Sequence, residues 1–478
     1  MKTVEWETVV GLEVHAELRT KTKLFCGCAN SFGQEPNTNI CAVCLGLPGS
    51  LPVLNRGAVE FAMRIGTALN CRVQDSIFHR KNYFYPDMPK DYQISQYDIP
   101  INTDGWLVLP GGSRVGIVRA HMEEDTGKTT HVGGGGRIHG AAHSLVDYNR
   151  AGVPLVEIVS SPDIRSAEEA RSYVDELRSI LVAIGASDGK MEEGSLRVDA
   201  NVSVRPVGSE QLGTRCEIKN MNSLRSLGRA IDYEAQRQIG ILTEGGRVIQ
   251  ETRHWDENTG QTGSMRSKEE AYDYRYFPEP DLVPVDPSKE WIASVEASLP
   301  ELPAGRRSAV ASWSGMSPNE DAVVTVVRQD LDRYVHAVVA AGGAVDAAAV
   351  AVRRLANEVA ADIEAIDNLD PEAFAELAKM ESDGSLTPAQ SRNVLKEMMS
   401  SGGKPQDIAK RLGYEAMGAD ALEECVDRVV SEHPEEWARY AAGEEKLTGF
   451  FIGKIKDATA GNADLKQASA LLRAKRQG

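Results

Sequence analysis

Apolar and polar residues alternate along Val9-Val-Gly-Leu-Glu-Val-His-Ala16, with Val10, Leu12, Val14 and Ala16 on one side and Glu13 and His15 on the other. This period of two predicts a strand that buries one face and presents an acid and an imidazole together on the other. Leu196-Arg-Val-Asp-Ala-Asn-Val-Ser-Val-Arg205 repeats the pattern. Leu196, Val198, Ala200, Val202 and Val204 turn inward, and Asp199 stands in a polar row with Arg197, Asn201, Ser203 and Arg205. After a glycine-containing turn, Thr214-Arg-Cys-Glu-Ile-Lys-Asn220 alternates again, with Cys216 and Ile218 inward and Glu217 beside Arg215 and Lys219. The period changes to that of a helix over Tyr173, Leu177, Ile180, Leu181 and Ile184, which form one stripe. Ser166 and Glu169 are spaced as a capping box at its start, and Gly185 stops it.

The texture of the chain shifts twice. Up to about residue 284 it is rich in Gly, Pro, Tyr and Arg and reads as sheet-like; beyond Pro300-Glu-Leu-Pro303 it becomes Ala-rich and helical, as in Asp346-Ala-Ala-Ala-Val-Ala-Val-Arg-Arg-Leu355. A second break, Ser401-Gly-Gly-Lys-Pro405, sets off a small helical tail. At 478 residues the chain exceeds what one core usually supports. The expected class is therefore α+β, with a sheet-rich domain over residues 1–295, an all-α domain over 296–402 and a tail domain over 403–478. No apolar segment is long enough to span a bilayer and no secretory h-region follows the start, so a soluble, cytoplasmic protein without a membrane partner is expected.

Net charge sharpens this picture. A value of −17 argues against a surface that grips nucleic acid all over, because phosphate contacts require local Lys and Arg. One local exception exists: Lys446, Lys454, Lys456, Lys466, Arg473, Lys475 and Arg476 face only Asp457 and Asp464 over the last stretch. That is either a nucleic-acid contact surface or a solvated terminal helix.

Candidate chemistry falls into two groups. Cys26-Gly-Cys28 and Cys41-Ala-Val-Cys44 bring four of seven cysteines into one loop, a donor set that closes a tetrahedral Zn2+ shell and leaves no position for substrate. Such a site is structural, so catalysis must lie elsewhere. No G-x4-G-K-[ST], dinucleotide-binding or G-x-S-x-G motif occurs. Gly133 to Gly136 read as a hairpin tip rather than a phosphate cradle. What recurs is acid in strand context: Glu13 with His15, Glu123-Glu124-Asp125, Asp199, Glu217, and Glu157 within the otherwise apolar Pro154-Leu-Val-Glu-Ile-Val159. A carboxylate in a buried strand is costly unless paired or bound to a cation. Several such oxygens with one imidazole suit Mg2+ bridging nucleotide phosphates.

Seven ordered motifs carry a resemblance. They are Gly11-Leu-Glu-Val-His-Ala-Glu-Leu18, Arg80-Lys-Asn-Tyr-Phe-Tyr-Pro86, Tyr92-Gln-Ile-Ser-Gln-Tyr97, His121-Met-Glu-Glu-Asp-Thr-Gly-Lys128, Asp147-Tyr-Asn-Arg-Ala-Gly-Val-Pro-Leu-Val-Glu157, Met191-Glu-Glu-Gly-Ser-Leu-Arg197 and Asp273-Tyr-Arg-Tyr-Phe-Pro278. Together they resemble the B subunits of the aspartyl/glutamyl-tRNA amidotransferases over about the first 285 residues. The resemblance implies a cradle-like mixed α/β domain with an antiparallel sheet, followed by helical and YqeY-like tail domains. It also implies a glutamine-hydrolysing ligase complex. ATP phosphorylates the side-chain carboxylate of Glu-tRNA(Gln) or Asp-tRNA(Asn), and ammonia from a glutaminase partner then displaces phosphate. The implied partners are the A subunit, which is the glutaminase, the small C subunit of the heterotrimer, and mischarged tRNA.

Carried onto matching positions, the resemblance implies that Glu13, His15, Glu124, Glu157, Asp199 and Glu217 form a catalytic cluster, with the first five holding Mg2+ and Glu123 the alternative to Glu124. Lys81, Asn82 and Tyr83 are implied to line the ATP or aminoacyl pocket, or else form a packed aromatic turn. Cys26, Cys28, Cys41 and Cys44 match a four-thiolate Zn2+ variant. Two other readings stay open at this point: a non-catalytic, zinc-stapled protein that only binds tRNA within the complex, and a stand-alone ligase using free ammonia on a small acid.

Overall fold

The computed structural model describes residues 4–133, 140–267, 275–414, 419–459, 463 and 465–477. The chain divides into two compact units, Met1–Pro303 and Ala304–Gly478. It is an α+β protein: a large, mostly antiparallel sheet precedes a helical region.

In the first unit the strands are β1 (Trp6–Glu17), β2 (Arg72–Val73), β3 (His79–Asn82), β4 (Tyr92–Ser95), β5 (Asn102–Val108) and β6 (Arg114–Glu124). They continue with β7 (Lys128–Val132), β8 (His143–Asp147), β9 (Pro154–Ser160), β10 (Leu196–Pro206) and β11 (Cys216–Met221). The last three are β12 (Glu251–Asp256), β13 (Gln261–Ser267) and β14 (Tyr276–Pro278). The main sheet runs β13-β12-β11-β10-β1-β9-β6-β4-β3-β14, with β5 on β6 and β2 on β5. Its pairs are antiparallel except β11 with β12. β7 and β8 pair separately; between them, Gly134 to Gly136 lie outside the described residues, as do Asp273 and Tyr274 of the last motif.

The alternation read from the sequence becomes a two-sided sheet. Val10, Leu12, Val14 and Ala16 of β1 are buried, as are Val198, Ala200, Val202 and Val204 of β10. They join one core with α1 (Arg56–Ala68), α2 (Ala167–Ala183) and α3 (Leu224–Thr243), through residues such as Met63, Tyr173, Leu177, Leu181, Leu227 and Ile231. Burying a Leu or Ile side chain contributes about 1.5–3 kcal/mol, so this face holds the helices to the sheet. The helix starts have local causes. Asn55 accepts from the Gly57 and Ala58 N–H groups, and Ser223 accepts from Ser226. Ser166 accepts from Glu169 N–H at 3.1 Å, but the Glu169 carboxylate returns to Arg165 N–H instead of Ser166. The expected capping box thus closes one residue early. Gly185, at φ +70°, ends α2 as anticipated.

In the second unit one core gathers Val323, Val327, Tyr334, Leu355, Phe374, Leu395 and Met398. Ile408 and Ala409, beyond the Gly402-Gly403 break, also belong to it. A separate cluster forms from Leu422, Val426, Tyr440, Phe451, Ile455 and Leu472. Among the described residues no helix is long and apolar enough to cross a membrane.

Candidate active site

The side of the sheet away from α1, α2 and α3 is polar, and strand register decides which residues meet there. His121 of β6 pairs with Glu157 of β9, Glu157 with His15 of β1, and His15 with Arg197 of β10. Directly paired residues point to the same side, so these four form one row across four adjacent strands. One step along β1, Glu13 pairs with Asp199; one step along β10, Asn201 pairs with Glu217 of β11. Glu13, His15, Arg197, Asp199, Asn201 and Glu217 come from strands whose alternation is written in the sequence, whereas Glu157 is embedded in an apolar run.

Two triads result. His15, Glu123 and Glu157 offer ligand atoms that all lie within 4.8 Å of one another, and so do Glu13, Asp199 and Glu217. In the first, His15 Nε2 is 3.4 Å from Glu123 Oε1 and 4.0 Å from Glu157 Oε1, while His121 Nε2 is 3.1 Å from Glu157 Oε2. In the second, Asn201 donates to Glu13 Oε1 at 3.0 Å, Thr252 donates to Glu217 Oε2 at 2.9 Å, and Lys219 Nζ bridges Asp199 Oδ2 at 2.8 Å and Glu217 Oε1 at 2.9 Å.

The electrostatics follow from this crowding. Burial alone would lower the His15 pKa, but Glu123, Glu157 and Asp199 outweigh it and push it up to about 9. Burial would likewise raise Glu123 and Glu157, but His15 and His121 hold both carboxylates below the ordinary range. Glu13 is raised by burial and by the charges of Glu157 and Glu217, so the second triad is short of positive charge. Lys219 lowers Glu217 and is itself raised, since its two carboxylates outweigh its burial. Further along the same face Glu17 is raised to about 7, by burial and then by Asp125, which itself binds Arg197 at 2.7 Å and Arg150 at 3.3 Å.

Glu124 is not part of either triad. It follows Glu123 in β6 and therefore points to the opposite side, where it pairs with Lys90 and accepts from Ile94 N–H at 2.9 Å. The expected cluster is corrected accordingly: geometry brings Glu123, the alternative acid, beside His15. His121, Asn201 and Lys219 are polar-face residues that sequence reasoning did not single out for the site. Their signal was present, since each lies two residues from a candidate acid in a strand: His121 before Glu123, Asn201 after Asp199, Lys219 after Glu217. Lys81 shares the face, because His79 pairs with Ser95 and Ser95 with Glu123, and Lys81 is two residues on. Asn82 donates instead to the Arg275 carbonyl, and Tyr83 stacks on Tyr85 with ring centroids 5.9 Å apart.

Cys26, Cys28, Cys41 and Cys44 also converge, with sulfurs within 4.8 Å of one another and Cys41 and Cys44 3.8 Å apart. Tetrahedral Zn2+ with bonds of about 2.3 Å requires sulfurs separated by about 3.8 Å, so the donor set and spacing fit. Cys44 is driven down to about 5 by hydrogen bonding from Cys26, then by the Cys41 N–H and Lys23, against its burial. A thiolate is thus favoured before any ion arrives. The loop is strapped to the end of β8 and the chain that follows: Asn37 N–H donates to Asp147 Oδ1 at 3.0 Å, Asn39 N–H to Asn149 Oδ1 at 2.8 Å, and Asn149 to the Glu35 carbonyl at 2.7 Å. A cavity of about 50 Å³ lies between this loop and the Lys90–Glu124 pair, lined also by Phe25, Tyr92 and Gly152. It is on the opposite side of β6 from the two triads, whose side chains are half-buried or buried.

Comparison with known proteins agrees with the layout. A GatB/GatE catalytic domain model matches residues 8–293 and a GatB domain model matches residues 333–475. The chain is 48% identical over 482 residues to the B subunit of the aspartyl/glutamyl-tRNA(Asn/Gln) amidotransferase of Carboxydothermus hydrogenoformans, covering 98% of this chain and 99% of the relative. The proteins of the same name from Moorella thermoacetica and Trichodesmium erythraeum are 48% and 45% identical, each over at least 98% of both chains. On these full-length matches the chain belongs to the family of aspartyl/glutamyl-tRNA(Asn/Gln) amidotransferase B subunits.

Proposed function

We propose that the polar face of β11, β10, β1, β9 and β6 is where the complex activates a tRNA-borne carboxylate with ATP. The observation that carries this reading is the meeting of two half-buried ligand triads on one polar sheet face, with no nucleophile or amidase motif among them. Phosphoryl transfer needs positioning and charge compensation more than covalent help from the protein. A face of carboxylates with two imidazoles and one lysine supplies those.

His15, Glu123 and Glu157 fit a hydrated divalent cation through one imidazole and two carboxylates, and Mg2+ held there would neutralise phosphate charge. The protein's part is to fix these groups. His121 orients Glu157, and Asn201 and Thr252 orient Glu13 and Glu217, so the donors are set before substrate arrives. Lys81, on the same face two strands beyond β6, extends the positive lining toward the nucleotide or the aminoacyl end.

In the reaction itself, a side-chain carboxylate oxygen of Glu-tRNA(Gln) or Asp-tRNA(Asn) attacks the γ-phosphorus of ATP. ADP leaves and an acyl phosphate forms. Ammonia supplied by the glutaminase partner adds to the acyl carbon, a proton is lost, phosphate departs, and Gln-tRNA(Gln) or Asn-tRNA(Asn) results. The four cysteines hold Zn2+ as a clamp on their loop, and the helical tail contributes tRNA contacts. The reading is tested by combining the chain with its glutaminase and small partner proteins, mischarged tRNA, ATP and glutamine. Release of glutamine or asparagine from the recovered tRNA, dependent on ATP, supports it; release of only glutamate or aspartate ends it.

A further inference from the structure

One strong cation of the polar face has no carboxylate of its own. On this face Arg205 binds Glu7 at 2.6 Å, Arg197 binds Asp125 at 2.7 Å and Lys219 binds Asp199 at 2.8 Å. Arg119 of β6 breaks that pattern. Among the described residues nothing accepts a hydrogen bond from its guanidinium, and its Nε is enclosed without a partner. A buried donor left unpaired is costly, and a native protein keeps one where a role offsets the cost. The two terminal nitrogens are not enclosed, and they are what a ligand can reach.

The backbone is built to put this side chain on the polar face. Ile117 pairs with Ser160 of β9 and Arg119 with Val159, so β6 advances two residues where β9 advances one, which is a bulge at Val118. Val115 and Ile117 before the bulge, and Ala120 and Met122 after it, all lie in the core. Without the extra residue, Arg119 would turn inward with Ile117. Register then sets its neighbours. Arg72 of β2 pairs with Thr103 of β5, Thr103 with Arg119, Arg119 with Val159, Val159 with Glu13 and Glu13 with Asp199. Arg119 thus stands two strands from Glu13, about 10 Å at the usual strand spacing, and two residues along β6 from His121. After burial, which opposes it, and the two histidines, Arg119 is among the charges that hold Glu157 below the ordinary carboxylate range.

We infer that Arg119 binds the phosphate chain of ATP, its guanidinium taking phosphate oxygens beside His121 and Glu157. This rests on the reading of the face given above. A guanidinium is planar, always charged and carries paired donors that meet two phosphate oxygens at once. A carboxylate partner would neutralise it, and among the described residues none bonds it, whereas the exposed Arg72 at the outer end of the same row is tied to Asp104 at 3.4 Å. The tRNA backbone is a second source of phosphate. The nucleotide is favoured because Arg119 lies beside the triads, where the tRNA brings an aminoacyl ester and the phosphates in play are those of ATP.

Binding of a non-hydrolysable ATP analogue with Mg2+ to the assembled complex, followed by calorimetric titration, tests this without turnover. Arg119→Met, or Arg119→Gln if the methionine variant does not fold, is expected to bind the analogue about 10- to 100-fold more weakly than wild type, as befits a lost charge-assisted contact. Arg119→Lys, which keeps the charge but not the fork, should recover part of that loss. Arg72→Met should bind the analogue as wild type does, and tRNA affinity without nucleotide, measured by filter binding, should be the same in Arg119→Met as in wild type. Unchanged analogue affinity in the neutral variant overturns the inference, and so does a lysine variant that recovers nothing or an equal loss in Arg72→Met. Weakened tRNA binding in place of weakened nucleotide binding assigns the contact to the tRNA backbone and overturns it too. If the wild-type complex binds no analogue, the reading of the face itself fails.

Discussion

Glu123 and Glu124 are consecutive residues of β6 whose carboxylates serve opposite sides of the sheet. Glu123 Oε1 approaches His15 Nε2 at 3.4 Å on the polar face, while Glu124 accepts from Ile94 N–H at 2.9 Å and pairs with Lys90 on the other. Both members of the Lys90–Glu124 pair are nearly inaccessible, with 7% and 3% of their side chains exposed. Removing one partner of such a pair leaves an uncompensated buried charge, at a cost of about 3–5 kcal/mol. Glu124→Gln is therefore expected to destabilise the first unit by that amount. Glu123→Gln is expected to cost less, because its partner His15 keeps Glu157 beside it and an imidazolium, unlike the Lys90 ammonium, can release its proton. Denaturant titration followed by tryptophan fluorescence separates the two; equal loss in both would contradict the assignment of faces.

The pH dependence of cation binding follows from His15. Its pKa is raised to about 9, so below that value the imidazole carries a proton that a metal must displace. In the metal-free protein the protonated pair with Glu123 adds stability that is fully present below about pH 6.5 and is lost as pH rises through about 9. Cation affinity has the opposite sign. Mn2+ binding should weaken by about tenfold per pH unit as pH falls from 9 toward 6.5. Calorimetric titration in buffers of different ionisation heat checks this through one proton released per ion; pH-independent affinity with no proton release would contradict it.

What the sequence disclosed, and what it hid, divides along the same line. Alternation in β1, β10 and β11 puts Glu13, His15, Asp199 and Glu217 on the face opposite the apolar residues, as the structure does, because side-chain direction within a strand is a local property. Which strands are neighbours is not local. The row His121, Glu157, His15 and Arg197 exists only because β9 lies between β6 and β1, a pairing no single segment encodes. In Glu123-Glu124-Asp125 three consecutive acids hide the phase of the alternation, so the sequence points to Glu124 with Glu123 as its alternative, and only the pairing of Glu123 with Ser95 and Leu155 fixes the register. Lys219 was visible as a neighbour of Glu217, but its bridge to Asp199 depends on the β10–β11 ladder.

Metal removal should act through the cysteine loop. Atomic absorption on protein purified without added metal is expected to find about one zinc per chain, as a closed four-thiolate shell implies. Cys44→Ser should lose most of it. Because Asn37 and Asn39 bind Asp147 and Asn149, hydrogen exchange should rise in both the loop and residues 146–150 when zinc is lost. Zinc far below stoichiometry in the wild type, or exchange confined to the loop, would contradict the clamp.

The tail carries a narrower prediction than its charge suggests. Lys475 is tied to Glu423 and Asp427, and Arg476 stacks over Tyr440, whereas Lys446, Lys454, Lys456 and Arg473 are exposed. Ile408 and Ala409 belong to the preceding core, so a chain ending at Tyr414 is a gentler truncation than one ending at Ser401. It should bind tRNA more weakly and with a shallower salt dependence, by roughly 0.7–0.9 in slope for each phosphate it no longer neutralises. Lys475→Ala alone should change the slope little. Filter binding across a salt series measures both; a truncated chain with the full-length slope would remove the tail from tRNA recognition.

The central claim is that carboxylate activation takes place on the polar face, and Glu157→Gln addresses it most directly. The substitution keeps the shape of β9 and removes one charge between His121 and His15. In the assembled complex with mischarged tRNA and glutamine, tRNA-dependent phosphate release from ATP is the quantity to measure. The account predicts a fall of about 10²- to 10³-fold, equivalent to about 3–4 kcal/mol in the barrier, with tRNA binding and glutaminase activity retained. Phosphate release and amidation at the wild-type rate would contradict it and return the chain to a tRNA-binding, non-catalytic role.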